Sequence, residues 1–232
     1  PDERKYCFAY SKAVKDIALR QYAETLKPEW DEMYWQAMLW EAPELLDSYM
    51  IYIEHNREPQ ARFYLPRRKT LIRIVNKLQM LADDELDELF IHLPGRTGKT
   101  QSITEFNAWY ASKYPEKSNL YCSYSDGVAK SYYDGLLELL TDPTYLHSEV
   151  FPNFKIVSTD AKGNTIDLVR KKKYKSITCK GLTAGLNGLC DCTGIEIGDD
   201  LIEGIQDAMN PDILKRKQTI VDNNYIPRAK TG

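Results

Sequence analysis

The sequence predicts an α/β fold of three layers, with a mostly parallel central sheet, an antiparallel hairpin added to it and a helical segment at the N-terminus. Three observations support this prediction. Apolar residues recur at helical spacing through residues 1–60, short apolar runs then alternate with helical segments, and a turn containing Gly-Lys-Thr separates one such run from the next helix. Strands that alternate with helices form sheets that are covered on both faces.

Residues 1–60 are predicted to form a helical segment in front of a core that covers residues 61–232. Pro28 is placed to open a second helix, because its fixed backbone angle suits the first helical turn. The aromatic-rich face of that helix needs a partner surface, which is either the rest of the domain or another protein. The helical spacing is carried by Tyr10, Val14, Ile17 and Ala18.

The core is predicted from helices and strands that follow one another along the chain. A hairpin is expected where two alternating runs flank a loop that contains Gly163 and Asn164. Helices are expected over 71–81, from Thr100 to Pro115 and from Asp126 to about Leu140, and strands over 89–93, 119–124, 156–158, 165–169 and 194–200.

Composition narrows the class of protein. With 43% hydrophobic and 28% charged residues, the 232-residue chain is typical of a globular protein with a sizeable core. It has no apolar run long enough to span a membrane, and its net charge of −3 is not a basic signature, so any contact with nucleic acid must be local. Five cysteines without disulfide spacing suit a reducing compartment, and three scattered histidines predict no metal site.

Residues 94–100 match a loop that binds the phosphates of a nucleotide. The backbone N–H groups of such a turn face an anion, Lys99 reaches the β- and γ-phosphates, and the Thr100 hydroxyl can bind Mg²⁺. The full pattern has Gly where this chain has Leu93, so an ordinary glycine-containing turn is the alternative. The nucleotide-binding residues are predicted to be Pro94, Gly95, Arg96, Thr97, Gly98, Lys99 and Thr100.

Basic and aromatic residues near this loop and near the hairpin suggest further contacts. Tyr64 or Arg67 could stack on the base of the nucleotide, although a solvated basic turn is equally compatible with this stretch. The basic residues from Arg170 to Lys175 either contact a phosphate backbone or protect a sheet edge from aggregation.

Nucleotide hydrolysis also needs carboxylates at the end of a second strand. Residues 194–200 form the candidate strand. Asp199 is predicted to share the Mg²⁺ with Thr100, and Asp200 is predicted to polarise the attacking water, with Glu203 as the reserve for that role. An acidic loop without such a role is the other interpretation.

Together these motifs resemble the ATPase domain of the large terminase subunit of tailed bacteriophages, the motor that packages viral DNA. The phosphate-binding loop of that family also lacks the first glycine. The resemblance covers about residues 63–228, and Leu201 stands where the family has proline. Beyond the loop, it is carried by the Ser-Tyr-Ser turn at 123–125, by Asp142, Pro143 and Tyr145, and by the glycine-rich approach to Asp199 and Asp200.

The resemblance implies a P-loop NTPase that hydrolyses ATP with Mg²⁺ and drives double-stranded viral DNA into a procapsid, in the host cell cytoplasm. Its expected partners are the DNA, the portal and procapsid, the small terminase subunit and further copies of itself in a ring, with no membrane partner. Arg96 is expected to stabilise charge in the transition state, although pairing with a nearby carboxylate is the alternative. A nuclease domain and the end of the ATPase core are expected to lie outside these residues.

Two other classes of protein stay open from the sequence. One is a different P-loop NTPase, such as a helicase-like translocase or a nucleotide kinase, although neither the further helicase motifs nor an arginine-rich lid is evident. The other is a non-catalytic module that binds nucleotide and uses its aromatic N-terminal helices to dock a partner.

Overall fold

A computed structural model describes residues 2–170, 173–184 and 190–228. The chain divides into two compact units. Unit 1 comprises Pro1–Ser102 and Asp142–Pro152, and unit 2 comprises Ile103–Thr141 and Asn153–Gly232. Because compact units do not have to coincide with separately folding domains, the predicted boundary near residue 60 stays a prediction.

The described residues form helices and five strands. The helices are α1 (Asp2–Thr25), α2 (Pro28–Glu41), α3 (Leu46–Tyr52), α4 (Tyr64–Ala82), α5 (Lys99–Lys113), α6 (Asp126–Thr141), α7 (His147–Val150), α8 (Gly204–Ala208) and α9 (Pro211–Ile220). The strands are β1 (Asn119–Ser123), β2 (Ser158–Asp160), β3 (Thr165–Asp167), β4 (Ile177–Gly181) and β5 (Glu196–Gly198). Short 3₁₀ helices cover Pro59–Ala61 and Ile226–Arg228, and a π-helical turn covers Val221–Tyr225.

Helices dominate unit 1, as the sequence predicts. Pro28 occupies the start of α2, and two acidic residues in its first turn interact favourably with the helix dipole. Leu46, Tyr49 and Met50 of α3 are fully buried, and α3 packs against α4, whose Leu71 is also fully buried. The predicted N-terminal helical segment is therefore confirmed, and α4 begins seven positions before the predicted Leu71.

The sheet lies in unit 2 and has the strand order β2-β3-β4-β1-β5. Strand β1 pairs in parallel with β4 and β5, whereas β2–β3 and β3–β4 are antiparallel. The α/β class and the antiparallel hairpin are confirmed. The sheet is mixed rather than mostly parallel, because the hairpin contributes as many antiparallel pairings as β1 makes parallel ones.

Both faces of the sheet are covered within unit 2. The Tyr121 ring of β1 stacks on Tyr132 of α6, with centroids 3.5 Å apart and planes 6° from parallel. Side chains alternate between faces along a strand, so Leu120 and Cys122 point the other way. They join a second buried cluster with Leu182, Cys190, Cys192 and Tyr225.

Asn119, the first residue of β1, joins the two neighbouring strand segments. Its Oδ1 accepts a hydrogen bond of 2.8 Å from the N–H of Ile195, and its Nδ2 donates one of 3.2 Å to the carbonyl of Ser176. A Cβ at Gly194 would lie 2.2 Å from that Oδ1, so only glycine fits beside the amide. One side chain thus aligns the starts of three strands.

Three strand assignments differ from the structure. The strand predicted over 156–158 is shifted toward the C-terminus, because β2 covers Ser158–Asp160. The strand predicted over 89–93 is wrong, because these residues belong to no sheet and the Phe90 side chain is 81% exposed. Conversely, β4 was not predicted as a strand, although Ile177, Thr178 and Cys179 are buried residues at its start.

Candidate functional site

The loop at 94–100 lies in unit 1 and leads directly into the first turn of α5. Gly98 has φ of 100°, a conformation that favours glycine, and Arg96 has φ of 64°. The Thr97 hydroxyl donates to the Pro94 carbonyl at 2.8 Å, and the Gly98 carbonyl accepts from the Ser102 N–H at 3.0 Å and from its hydroxyl at 2.9 Å. The loop is therefore closed by its own hydrogen bonds.

Gly98 rests on the ring of Phe63. A Cβ at Gly98 would lie 2.6 Å and 2.7 Å from Phe63 Cε2 and Cζ, and 3.7 Å from Leu71 Cδ1. Two features favour glycine at position 98: the positive φ and the close approach of the Phe63 ring. Gly95 has no such constraint, because a Cβ there would meet nothing within 4 Å.

The two residues predicted to contact the base differ in accessibility. Tyr64 is fully buried and its hydroxyl donates to Asp47 Oδ1 at 2.5 Å, so no ring face is available for stacking on a base. Arg67 is exposed, its guanidinium carbon lies 5.2 Å from the Phe63 ring centroid, and its Nη1 donates to the Phe63 carbonyl at 3.0 Å. Tyr64 is therefore a core residue, and Arg67 is the member of the pair that faces solvent.

The predicted carboxylates lie in unit 2, immediately after β5. Asp199 is 3% exposed and its N–H donates to the Cys122 carbonyl at 2.9 Å. Asp200 has φ of 46°, and its carbonyl accepts from the Tyr124 N–H at 3.1 Å. Because β1 and β5 are parallel, their carboxyl ends share one edge of the sheet. Glu203 is exposed at the N-cap of α8.

The candidate residues thus fall into two groups. Lys99 and Thr100 begin α5 in unit 1, and Asp199 and Asp200 follow β5 in unit 2. Within the described residues, no three His, Cys, Asp or Glu side chains are grouped as a metal site. A Mg²⁺ ion shared by Thr100 and Asp199 stays a prediction, with one hydroxyl and one carboxylate as its proposed protein ligands.

The basic stretch from Arg170 to Lys175 is partly described. Residues 171 and 172 lie outside the described residues, as do 185–189 of the glycine-rich approach. Lys175 pairs with Asp167 at 3.1 Å, and Lys173 lies 4.8 Å from the Tyr174 ring centroid. Part of this positive charge is therefore compensated locally. None of the described helices has the length and apolar character needed to cross a membrane.

Two residues beside the loop were not identified from the sequence. Phe63 supports Gly98, and Glu54 accepts hydrogen bonds from the N–H groups of Phe63 and Tyr64. No spacing rule links residue 54 to residue 98, so only the folded arrangement reveals the connection. Phe63 had a local signal, because it precedes the basic turn that was singled out.

Comparison with known proteins gave no match: no protein family, no curated protein and no solved structure is similar to this chain at a significant level.

Proposed function

We propose that the loop at 94–100 binds the phosphates of ATP and that the chain is an ATP-hydrolysing motor domain of the terminase type. The observation that carries the proposal is Gly98, at φ of 100°, directly before Lys99 and Thr100 at the start of a 15-residue helix. The first turn of a helix directs backbone N–H groups and positive charge toward its N-terminal end. That combination favours a bound phosphate.

Each residue has a defined role in this proposal. The Lys99 ammonium contacts the β- and γ-phosphates, Asp200 orients the attacking water with Glu203 in reserve, and Arg96 stabilises transition-state charge. Thr100 and Asp199 hold Mg²⁺, which when bound supplies charge neutralisation on the phosphates. Exposure of the Arg96 side chain leaves it able to reach a ligand.

The assignment to DNA packaging rests on the resemblance of the motifs to the terminase family. Under this proposal the partners are double-stranded viral DNA, the portal and procapsid, the small subunit and other copies of the chain in a ring. The same loop would serve a helicase-like translocase. ATP turnover stimulated by procapsids and double-stranded DNA supports packaging, whereas unwinding of a forked duplex supports the helicase alternative.

Binding of Mg²⁺-ATP to Lys99→Ala, measured by calorimetry, tests the phosphate site. Removing the ammonium is expected to weaken binding about 100-fold, because a charge-assisted contact to phosphate is lost. Lys77→Ala is the matched control, since Lys77 is an exposed lysine on α4. Equal affinity of Lys99→Ala and wild type would remove this loop from nucleotide binding.

Binding also predicts a thermal shift. Mg²⁺-ATP well above its dissociation constant is expected to raise the melting temperature of the wild type and of Lys77→Ala. Absence of a shift in both, together with no heat of binding, would reject the proposed function outright. A shift with no turnover would favour the non-catalytic nucleotide-binding module.

A further inference from the structure

We propose that Glu54 is a positioning residue for the phosphate-binding loop: through Phe63 it fixes the place of Gly98, and hence of Lys99 and Thr100. The inference deepens the proposed function and rests on it for the identity of the ligand. All five residues belong to unit 1. The connection consists of two contacts in series, one from a carboxylate to a helix N-terminus and one from a ring to a glycine.

The first contact is a buried carboxylate that caps α4. Glu54 is 1% exposed; its Oε1 accepts from the Phe63 N–H at 2.8 Å, and its Oε2 accepts from the N–H groups of Phe63 and Tyr64, both at 2.9 Å. The first N–H groups of a helix have no acceptor within the helix. The side chain of Phe63, at the N-cap, supplies none, and the first turn of α4 has no acidic residue. Glu54 thus provides both the acceptor and the negative charge.

The second contact lies between the Phe63 ring and Gly98 of the loop. The Phe63 ring lies so close to Gly98 that even a methyl group between them would overlap the ring. Arg67 donates to the Phe63 carbonyl at 3.0 Å, which holds the backbone at this position, and its guanidinium carbon lies 5.2 Å from the ring centroid. A displacement of Phe63 therefore changes the surface on which Gly98 rests, immediately before Lys99 and Thr100.

The surroundings of Glu54 determine what the substitution Glu54→Gln changes. Burial raises the pKa of Glu54, and the hydrogen bonds from the Phe63 and Tyr64 N–H groups, followed by the charges of Arg57 and Arg62, oppose that rise. Glutamine keeps the shape of the side chain but has one acceptor oxygen and an amide that cannot accept from an N–H. Glu54→Gln therefore removes the charge and one acceptor from the cap without opening a cavity.

Hydrogen exchange of the ligand-free protein tests the mechanical connection. Glu54→Gln is expected to speed the exchange of the loop amides at 97–101 about tenfold, since a lost charged hydrogen bond lowers the free energy of local opening. Glu58→Gln is the matched control, because Glu58 is an exposed glutamate four positions further on. Exchange at 97–101 that is the same in both variants would overturn the proposal.

Nucleotide affinity supplies the second readout. Glu54→Gln and Phe63→Leu are each expected to weaken Mg²⁺-ATP binding about tenfold. The double variant is expected to bind Mg²⁺-ATP as tightly as either single variant, because both changes act through one contact. Additive effects would show that Glu54 does not act through Phe63. Should the wild type bind no ATP, the proposed function fails, and the exchange measurement still decides whether Glu54 positions the loop.

Discussion

Tyr49 and His147 share a hydrogen bond of 2.8 Å between the tyrosine hydroxyl and Nδ1, although 98 positions separate them in the chain. Both side chains are buried, and their rings meet edge to face, 85° apart. The contact joins α7 to α3, and the Leu146 N–H adds a hydrogen bond of 3.0 Å to the Ile53 carbonyl. Residues 142–152 belong to unit 1 through such contacts, despite the long excursion of the chain into unit 2.

Acid is expected to destabilise unit 1 through His147. Burial lowers the pKa of His147 to about 3, against an ordinary value of 6.5. The unfolded chain therefore binds a proton that the folded chain does not, and the free energy of unfolding falls as the pH drops from 6.5 toward 3. Between pH 7 and pH 5, this histidine alone should lower the free energy of unfolding by about 2 kcal/mol. Urea unfolding at the two pH values measures the difference.

His147→Gln should flatten that dependence on pH, because glutamine does not titrate. His92→Gln serves as the control, since His92 is an exposed histidine. An unchanged slope in His147→Gln would show that the histidine is not held neutral in the folded protein.

Alanine substitutions at two loop glycines should differ sharply. Gly98→Ala is expected to cost about 1–3 kcal/mol and to weaken ATP binding, because the new methyl group meets Phe63 and the positive φ is strained. Gly95→Ala should change the free energy of unfolding by no more than about 0.5 kcal/mol, as expected for an open surface position. Thermal melts with and without Mg²⁺-ATP measure both effects. Equal behaviour of the two variants would contradict the packing of Gly98 on Phe63.

A second pair of glycines tests unit 2. A Cβ at Gly181 would lie 2.7 Å from the backbone nitrogen of Asp126 and 2.8 Å from the carbonyl carbon of Ser125, so Gly181→Ala should destabilise by about 1–3 kcal/mol. Gly135→Ala, in the exposed middle of α6, should instead stabilise by about 0.5–1 kcal/mol, because alanine is the better helix former. Chemical denaturation distinguishes the two signs. A neutral Gly181→Ala would contradict the close approach of β4 to the start of α6.

Thiol reactivity should separate one cysteine from the other four. Cys7 is exposed, whereas the remaining thiols are buried. Burial raises the pKa of Cys190, and that of Cys192 to about 12, so these thiols stay protonated at pH 8. An aromatic disulfide reagent should therefore react quickly with one thiol per chain, and Cys7→Ser should abolish this fast reaction. Fast reaction of a second thiol in the native protein would contradict the burial of the cluster around Cys122.

Local signals predicted α2 and α6, because a proline or an acidic residue marks the start of each. Pro28 begins α2 and Asp126 begins α6. Asn210 is a local cap of the same kind, since its side chain accepts hydrogen bonds from two N–H groups at the start of α9. The hairpin was predictable for the same reason, since the Asp160 carboxylate accepts from the N–H groups of Lys162 and Gly163 within its loop.

Strand assignments were less successful, since a strand depends on partners elsewhere in the chain. The apolar run at 89–93 has strand-like composition, yet a run without a pairing strand stays outside the sheet. Strand β4 was overlooked next to the basic stretch, although it pairs with β1 along five residues. The part of the site formed by Glu54 and Phe63 was equally hidden, because it depends on contacts between distant positions.

The amide of Asn119 has a consequence for how this protein tolerates change. The alignment of β1, β4 and β5 is specified at the end of the sheet where these strands begin. Exchanging this amide for a carboxylate would remove the donor to Ser176 while keeping the acceptor for Ile195. A single deamidation of Asn119 would therefore weaken its link to the start of β4 and keep its link to the start of β5.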